Sequence, residues 1–224
     1  MPGKSAPFVV TIDGPSASGK SSLAREIARR HSWAWVSTGA FYRGLAFVAN
    51  EVGVAVNDEH RLVELTKNPI WSVAMSDDRT KVLLKNIDVT DLIYREDVGT
   101  AASRLSLLPK VRASLLQAQR DCTNGVKGLV AEGRDCGTVV FPTAQLKIYL
   151  TAHSDSRADR RAKEEGRPVE EMRVTTTHRD HQDSTRASAP LQIPENAVVI
   201  DTTELELPAV VDRVDRLIRK MHPN

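Results

Sequence analysis

The stretch FVVTIDGPSASGKSS, residues 8–22, constrains the fold of this chain more than any other part of the sequence. Its apolar, β-branched run breaks at Gly14, and a loop of small residues leads to Lys20, where a helical pattern begins. The loop fits G-x-x-x-x-G-K-[ST] at every fixed position, and a strand before it with a helix after it is the context in which this pattern binds phosphate. The sequence therefore predicts a buried strand over 8–12, a phosphate-binding loop, and a helix over 20–31.

The chemistry of the loop identifies its ligand. Glycine lets the backbone approach phosphate oxygens closely, and successive N–H groups at the start of a helix complement negative charge. Lys20 can reach the β- and γ-phosphates of a nucleotide, and the Ser21 hydroxyl can ligate Mg²⁺. An ordinary glycine- and serine-rich turn is the alternative, and the flanking strand and helix disfavour it. We therefore expect a nucleoside triphosphate to bind at Gly14, Pro15, Ser16, Ala17, Ser18, Gly19, Lys20, Ser21 and Ser22.

Short apolar runs alternate with helical patterns along most of the remaining chain. Besides the first strand, these runs predict strands at 34–36, 128–133, 146–150 and 197–201. Helices are expected over 37–53, with Ser37 or Thr38 as the capping residue, and over 207–221. Strands that alternate with helices of this length are typical of parallel βαβ units. The predicted fold class is therefore α/β, with a doubly wound, parallel, five-stranded sheet.

Two segments depart from this alternation. Residues 70–76 and 80–85 predict two strands around the turn Asp-Asp-Arg, with a third short strand near 87–89. These strands indicate a small antiparallel β insertion between elements of the core. Residues 153–186 carry many arginines and few apolar side chains, and we expect this segment to be helical, solvent-exposed and mobile.

Composition limits the possible partners. The chain has 224 residues, of which 41% are hydrophobic and 27% charged, as is typical of a soluble globular protein with one domain. Its formal net charge is only +2, so we expect neither a nucleic acid nor a membrane as partner. Cys122 and Cys136 lack metal-ligand spacing and are expected to be reduced thiols. The first ten residues lack the apolar core of a signal peptide, so a cytoplasmic location is expected.

Several arginines lie beside glycines or at the ends of predicted strands, where a doubly wound sheet binds its ligands. They are Arg43, Arg112, Arg134, Arg179 and Arg186. Any one of them could be an ordinary solvated arginine, but together with the phosphate loop they predict a second anionic substrate. Guanidinium groups match phosphate oxygens in bidentate geometry and stay charged at any working pH. The sequence has no N-K-x-D motif, so it does not indicate a guanine-reading protein.

Five motifs follow one another between Thr11 and Leu191: TIDGPSASGKSS, STGAFYR, AASRLSLLPKVR, AEGRDCGTVVFP and RDHQDSTRASAPL. Together they strongly resemble the motifs of bacterial cytidylate kinases. The last two are far more diagnostic than the phosphate loop, which shikimate and adenylate kinases share. The resemblance implies a monomeric P-loop kinase that uses ATP and Mg²⁺ to phosphorylate CMP or dCMP by direct in-line transfer.

The resemblance also implies which residues hold the phosphate and the sugar of the acceptor. Thr38, Arg43 and Arg134 would bind the phosphate of CMP. Arg179 and Asp183 would contact the ribose, including its 2′ position.

The base would be recognised by Ser103, Arg112 and Asp135, and Arg186 would lie between the base and the phosphate. Cytosine presents two acceptors beside an exocyclic amine donor, which an arginine and a carboxylate can satisfy together. Uracil would instead turn a carbonyl oxygen towards the carboxylate. Leaving buried polar groups unpaired in this way can reduce the use of a substrate about 10⁴-fold.

The family likeness implies a division of the single kinase domain into a core, an insertion and a lid. The insertion that binds the monophosphate would cover about 58–97, and the lid about 154–168. The core would comprise 1–57, 98–153 and 169–224. The predicted catalytic residues, which act on the transferring γ-phosphoryl group, are Lys20, Arg157, Arg160 and Arg161.

The sequence departs from the family pattern at two positions. Ser37 stands where an aspartate is usual, and Glu132 stands where the motif commonly has an aspartate. Glu132 could still assist Mg²⁺ through a water molecule. Two alternatives stay open at this stage: a P-loop kinase for another small-molecule acceptor, and a non-catalytic switch that responds to nucleotide.

Overall fold

The computed structural model describes residues 6–76 and 78–222. Its strands are β1 (Phe8–Asp13), β2 (Ala34–Ser37), β3 (Trp71–Met75), β4 (Thr80–Leu84), β5 (Ile87–Asp88), β6 (Gly128–Gly133), β7 (Leu146–Thr151) and β8 (Val198–Asp201). Its helices are α1 (Lys20–His31), α2 (Gly39–Glu51), α3 (Glu59–Thr66), α4 (Thr90–Ile93), α5 (Glu96–Leu105), α6 (Pro109–Arg120), α7 (Ser154–Glu165), α8 (Val169–Thr185) and α9 (Leu207–Met221). A π-helical turn covers Cys136–Val140.

The central sheet is parallel, with the strand order β2-β6-β1-β7-β8. Every residue of β1 and of β6 is buried, because helices cover both faces of these central strands. Val10 of β1 is in register with Val130 on one side and with Leu146 on the other. The predicted five-stranded, doubly wound sheet is confirmed.

The core consists of two apolar clusters, one on each face of the sheet. On one face, Leu23 and Ile27 of α1 pack with Val214 of α9 against Val10 and Ile12. The other cluster lies under α2, α5 and α6. Helices on both faces leave the carboxyl ends of the strands as the open edge of the sheet, where α/β proteins bind their ligands.

The predicted antiparallel insertion is present as the sheet β3-β4-β5. It is attached to the core where the backbone N–H of Ser37 donates to Thr80 Oγ1 at 2.8 Å. The predicted Asp-Asp-Arg turn lies partly outside the described residues, since Asp77 is not among them. The expected lack of a signal peptide concerns residues 1–10, of which residues 1–5 are outside the described ranges.

One local prediction is corrected by the structure. Thr38 directly precedes α2, yet neither it nor Ser37 caps the helix with its side chain within the described part of the chain. The Thr38 hydroxyl instead donates to the carbonyl oxygen of Glu132 at 3.1 Å, which links the start of α2 to the end of β6. The hydroxyl therefore connects the residue that follows β2 to the end of β6 at the ligand-binding edge, instead of capping α2.

Helices α7 and α8 form the predicted arginine-rich helical segment and pack against each other. Most residues of α8 are exposed, and its buried residues are Met172, Thr176 and Asp183. The mobility expected for this segment stays a prediction. Among residues 6–76 and 78–222, no helix combines the length and the apolar character needed to span a bilayer.

Candidate active site

A cavity of about 240 Å³ opens at the carboxyl ends of β1, β2 and β6. The predicted site residues that line it are Ser16, Ala17, Lys20, Ser21, Thr38, Arg43, Ser103, Arg112, Glu132, Arg134, Asp135, Arg161, Arg179, Asp183 and Arg186. These residues are scattered over the sequence and come from both faces of the sheet and from the predicted lid. The arginines that the sequence places far apart thus meet in one cleft with the phosphate loop.

Other predicted residues lie beside this lining, not in it. They are Gly14, Pro15, Ser18, Gly19, Ser22, Arg157 and Arg160. Arg157 donates to the carbonyl oxygen of Ser16 at 3.1 Å and is paired with Asp180. Arg160 donates to the Thr202 hydroxyl at 3.1 Å. Of the three arginines predicted in the lid, Arg161 faces the cavity, while Arg157 and Arg160 are engaged elsewhere.

The phosphate loop has the conformation that its glycines predict. A β-carbon on Gly14 would lie 2.2 Å from the carbonyl oxygen of Leu150, so only glycine fits where the loop leaves the sheet. Lys20 Nζ donates to the carbonyl oxygen of Pro15 at 2.6 Å, which folds the side chain along the loop. Burial, with a further contribution from Arg134, lowers the pKa of Lys20 to about 7.

Ser21 and Glu132 provide oxygen ligands beside the loop. Ser21 Oγ donates to Glu132 Oε1 at 3.1 Å, and Glu132 is only 4% exposed at the end of β6. A hydroxyl and a carboxylate oxygen are the hard ligands that suit Mg²⁺, which also keeps several waters. The residues present therefore fit a magnesium ion bound with a nucleotide.

The base-recognition residues predicted for the acceptor include a buried ion pair. Arg112 Nη2 donates to Asp135 Oδ2, and both side chains are less than a tenth exposed. Arg112 also lies over the ring of Tyr42, with 5.5 Å between its Cζ atom and the ring centroid. Arg186 Nη2 is 3.9 Å from Asp135 Oδ1 and has no hydrogen-bond partner among the described residues. A buried donor without a partner, next to a carboxylate, suits a polar ligand.

The phosphate-binding residues predicted for the acceptor are also positioned by the protein. Arg134 Nε donates to Asp183 Oδ2 at 2.7 Å. Arg43 Nη1 donates to the carbonyl oxygen of Ile93 at 2.9 Å. Burial, together with the charges of Arg179 and Arg161, lowers the pKa of Arg43 to about 10. Three guanidinium groups therefore crowd one side of the cavity, an arrangement that an anion would relieve.

The sequence reasoning missed two carboxylates that organise the loop regions. Asp13, the last residue of β1, accepts from the backbone N–H groups of Cys136 at 2.8 Å and Gly137 at 2.7 Å. Asp180 accepts from the backbone N–H of Ser16 at 3.1 Å. An aspartate that ends an apolar run directly before the loop glycine is the sequence signal that could have indicated Asp13. Asp180 gives no comparable signal, because its partner is 164 residues away.

Comparison with known proteins decides the family. The family model described as cytidylate kinase matches residues 10–220. The chain belongs to the cytidylate kinase family. It is 58% identical to the cytidylate kinase of Bdellovibrio bacteriovorus, over 95% of this chain and 98% of that protein. It is 44% identical to the cytidylate kinase of Neisseria meningitidis serogroup A, again over 95% of this chain and 98% of that protein.

Solved structures support the fold of this family member at much lower sequence identity. A gluconokinase from Sinorhizobium meliloti superposes with a TM-score of 0.50 at 14% identity, covering 97% of each chain. An uncharacterized protein from Eubacterium ventriosum superposes with a TM-score of 0.54 at 10% identity, covering 94% of this chain and 98% of that one. At these identities the likeness concerns the fold alone.

Proposed function

We propose that this protein transfers the γ-phosphoryl group of ATP to CMP or dCMP, producing ADP and CDP or dCDP. Membership of the cytidylate kinase family supports the proposal. The observation that carries it is the buried Arg112–Asp135 pair, which lies in the same cavity as the phosphate-loop residue Lys20. An enzyme that transfers a phosphoryl group between two anionic nucleotides needs a loop that binds the triphosphate. It also needs a separate site that recognises the base of the acceptor.

The base site discriminates through the Arg112–Asp135 pair. Arg112 donates towards the O2 and N3 acceptors of cytosine, and Asp135 accepts from its exocyclic amine. Uracil would set its O4 carbonyl against the carboxylate and leave buried polar groups unpaired, which can cost about 10⁴-fold in substrate use. Ser103 also lines the cavity and completes the set of residues that recognise the base.

The acceptor phosphate binds where guanidinium groups converge. Thr38, Arg43 and Arg134 hold its oxygens, and the anion takes over part of the charge pairing that Asp183 now provides to Arg134. Arg179 and Asp183 contact the ribose, with Arg186 between base and phosphate. This arrangement fixes the attacking oxygen, which is already anionic and needs no general base.

Transfer is direct and in line, and the residues of the loop and lid supply positioning and charge. The backbone of residues 14–22 cradles the donor phosphates, and Lys20 reaches the β- and γ-phosphates. Ser21, with Glu132 through water, would hold Mg²⁺, which neutralises phosphate charge when it is bound. Arg161 faces the cavity, and Arg157 and Arg160 join it over the γ-phosphoryl group as the lid over about 154–168 closes.

An acceptor panel tests the proposal. The purified protein is assayed for ADP release with ATP, Mg²⁺ and either CMP, dCMP, UMP, AMP or shikimate. We expect CMP or dCMP to be the best acceptor, and Asp135→Ala to abolish that preference while the KM for ATP stays within about twofold. A best rate with UMP or AMP would reject the cytosine assignment. Absence of turnover with every acceptor would favour a nucleotide-dependent switch. We expect the enzyme to be a monomer and to be located in the cytoplasm.

A further inference from the structure

Helix α5 presents a glycine, Gly99, to the wall of the cavity at the point where two arginines converge. A β-carbon built on Gly99 would lie 3.0 Å from Arg43 Nη2 and 3.1 Å from Arg179 Nη2. Contacts this short would push both guanidinium groups away from the helix. The missing side chain therefore creates the space in which two like-charged groups lie side by side.

Helix stability does not explain a glycine at this position. Glycine in a helix interior is less favourable than alanine, because the unfolded backbone is freer. Core packing does not explain it either, since the atoms nearest to Gly99 are the ends of flexible arginine side chains. Gly44 in α2 offers the opposite case: a β-carbon there would meet the Trp71 ring at 2.9 Å, inside the core. The space at Gly99 thus serves the arginines and not the fold.

Arg43 cannot simply move aside from an added methyl group. Its Nη1 atom donates to the carbonyl oxygen of Ile93 at 2.9 Å, and its Cζ atom lies 5.4 Å from the centre of the Tyr94 ring. The hydrogen bond and the ring hold the guanidinium group in place. A displacement of Arg43 would therefore break an existing contact.

Arg179 is anchored on the same face of α5. Its Nη2 atom donates to Glu96 Oε1 at 2.5 Å, and Glu96 precedes Gly99 by three residues, which places both on one face of the helix. The second carboxylate oxygen of Glu96 lies 3.7 Å from Arg161 Nη2 and accepts no hydrogen bond from the described residues. Glu96 thus draws Arg161 of the predicted lid and Arg179 of α8 towards α5, and Gly99 leaves room for Arg179.

We propose that Gly99 is a positioning residue for the acceptor phosphate and ribose. It sets the distance at which Arg43 and Arg179 stand from α5, and so from the acceptor. The inference rests on the proposed function, because those two arginines are assigned to the acceptor nucleotide. It adds a determinant that has no side chain and acts through the space it leaves.

The variant Gly99→Ala separates this role from a structural one. We expect its KM for CMP to rise about 3- to 10-fold, since the two guanidinium groups must move by a few tenths of an ångström and a misplacement of about 1 Å can cost about 100-fold. Its KM for ATP should stay within about twofold, and its Tm should equal or exceed that of the wild type because alanine favours a helix. Thr100→Ala, an exposed neighbour in α5, is the matched control and should change neither KM.

A double-mutant cycle tests the anchoring by Glu96. In a Glu96→Gln background Arg179 is held less tightly, so it can yield to the methyl group, and Gly99→Ala should raise the KM for CMP less than it does alone. Asp97→Asn removes an exposed carboxylate from the same turn and should leave the effect of Gly99→Ala unchanged. Equal effects of Gly99→Ala in all three backgrounds would reject the anchoring.

Two results would overturn the inference: an unchanged KM for CMP, or a lower Tm with equal losses towards CMP and ATP. Failure of the proposed function is read separately, as absence of CMP turnover by the wild type. In that event inorganic phosphate serves as the probe. It should raise the Tm of the wild type and of Thr100→Ala more than that of Gly99→Ala, and equal rises would reject the role of Gly99.

Discussion

At the scale of single residues, charged side chains around the cavity already have partners within the protein. Arg134 is held by Asp183 at 2.7 Å, and Arg179 by Glu96 at 2.5 Å. A substrate phosphate at Arg134 must therefore exchange with the carboxylate of Asp183. Because each exchange replaces one charge-assisted hydrogen bond by another, binding favours ligands whose oxygens match the guanidinium geometry. Buried ionisable groups in this setting give predictions that depend on pH.

Nucleotide binding should take up a proton through Lys20. Burial lowers the pKa of this residue to about 7, so at pH 8 most of the ligand-free protein carries a neutral amine. Donor phosphates favour the ammonium form, and binding should therefore absorb close to one proton at pH 8. Calorimetric titration with Mg²⁺–ADP in buffers of different ionisation enthalpy measures this uptake. Lys20→Arg, which stays charged, should lose the uptake, and an equal uptake in both proteins would contradict the prediction.

Asp13 should make stability depend on pH between about 4 and 6. Burial raises its pKa from 3.8 to about 6, so the folded chain binds the proton more tightly than the unfolded chain. This carboxyl group's contribution to the free energy of unfolding is therefore full below about pH 4 and falls as the pH rises to 6, by at most about 3 kcal/mol.

The variant Asp13→Asn cannot ionise, so we expect the difference in unfolding free energy between wild type and variant to fall over that range. Urea unfolding at a series of pH values measures the difference. Asp97→Asn, at an exposed position, is the control and should leave the wild-type profile unchanged. Profiles for Asp13→Asn and wild type that run parallel from pH 4 to 7 would refute the assignment.

At the scale of secondary-structure elements, α2 connects the core to the insertion. Its glycine at position 44 faces Trp71 of β3 and Val82 of β4, at 2.9 Å and 3.1 Å from a notional β-carbon. The helix and the small sheet therefore approach one another as closely as a residue without a side chain allows. Arg43, which is predicted to bind the acceptor, directly precedes Gly44 in α2. The packing of α2 against the insertion therefore also fixes the position of Arg43.

Gly44→Ala should destabilise the fold at this junction. Overpacking a core position typically costs about 1–3 kcal/mol, and the gain in helix propensity of about 1 kcal/mol offsets only part of it. We expect a net loss in the free energy of unfolding by urea. Asn50→Ala, at an exposed position near the end of α2, gains propensity without a clash and should be neutral or stabilising. Equal stability of the two variants would show that the Trp71 ring moves aside at little cost.

The strands and the phosphate loop could be predicted from the sequence because local patterns determine them. The strand over 128–133 and the helix over 20–31 are observed with the predicted bounds. Helices α3 to α6 were not predicted, since their faces are defined by contacts with α2, with β4 and with one another. The predicted acceptor-site residues came from the resemblance of five motifs to those of cytidylate kinases. Glu96 and Gly99 lack such a signal, because their partners approach only in the folded chain.

At the scale of the whole molecule, a nearly neutral protein brings several of its arginines together in one cleft. The net charge is +2, yet six arginines line the cavity. The parallel sheet under them is fully buried in β1 and β6, whereas the α7–α8 pair is largely exposed. A buried sheet and an exposed helical segment therefore meet at the substrate site. We expect the exposed segment to open and close, which would admit substrates and then exclude water.

Hydrogen exchange should reveal this division. We expect amides of β1 and β6 to exchange only through global unfolding, and amides of α7 and α8 to exchange earlier through local opening. Adding Mg²⁺–ADP with CMP should slow exchange in α7 and α8, since arginines of this segment then hold phosphate. Mass spectrometry of peptides from the two regions measures both effects. Uniform exchange across the chain, or protection confined to the sheet, would count against lid closure.

The carboxylate of Asp13 belongs to both halves of the site. Its strand leads into the phosphate loop, while its two oxygens hold the turn that directly follows Arg134 and Asp135. We expect any change in the length of that turn to disturb the binding of the donor phosphates as well as the recognition of the acceptor base. The acceptor preference can be altered by exchanging side chains, and this leaves the shared turn intact. Replacing the turn by a loop from another protein does not. Variants of this protein that accept other bases should accordingly differ in their side chains and keep the length of the turn.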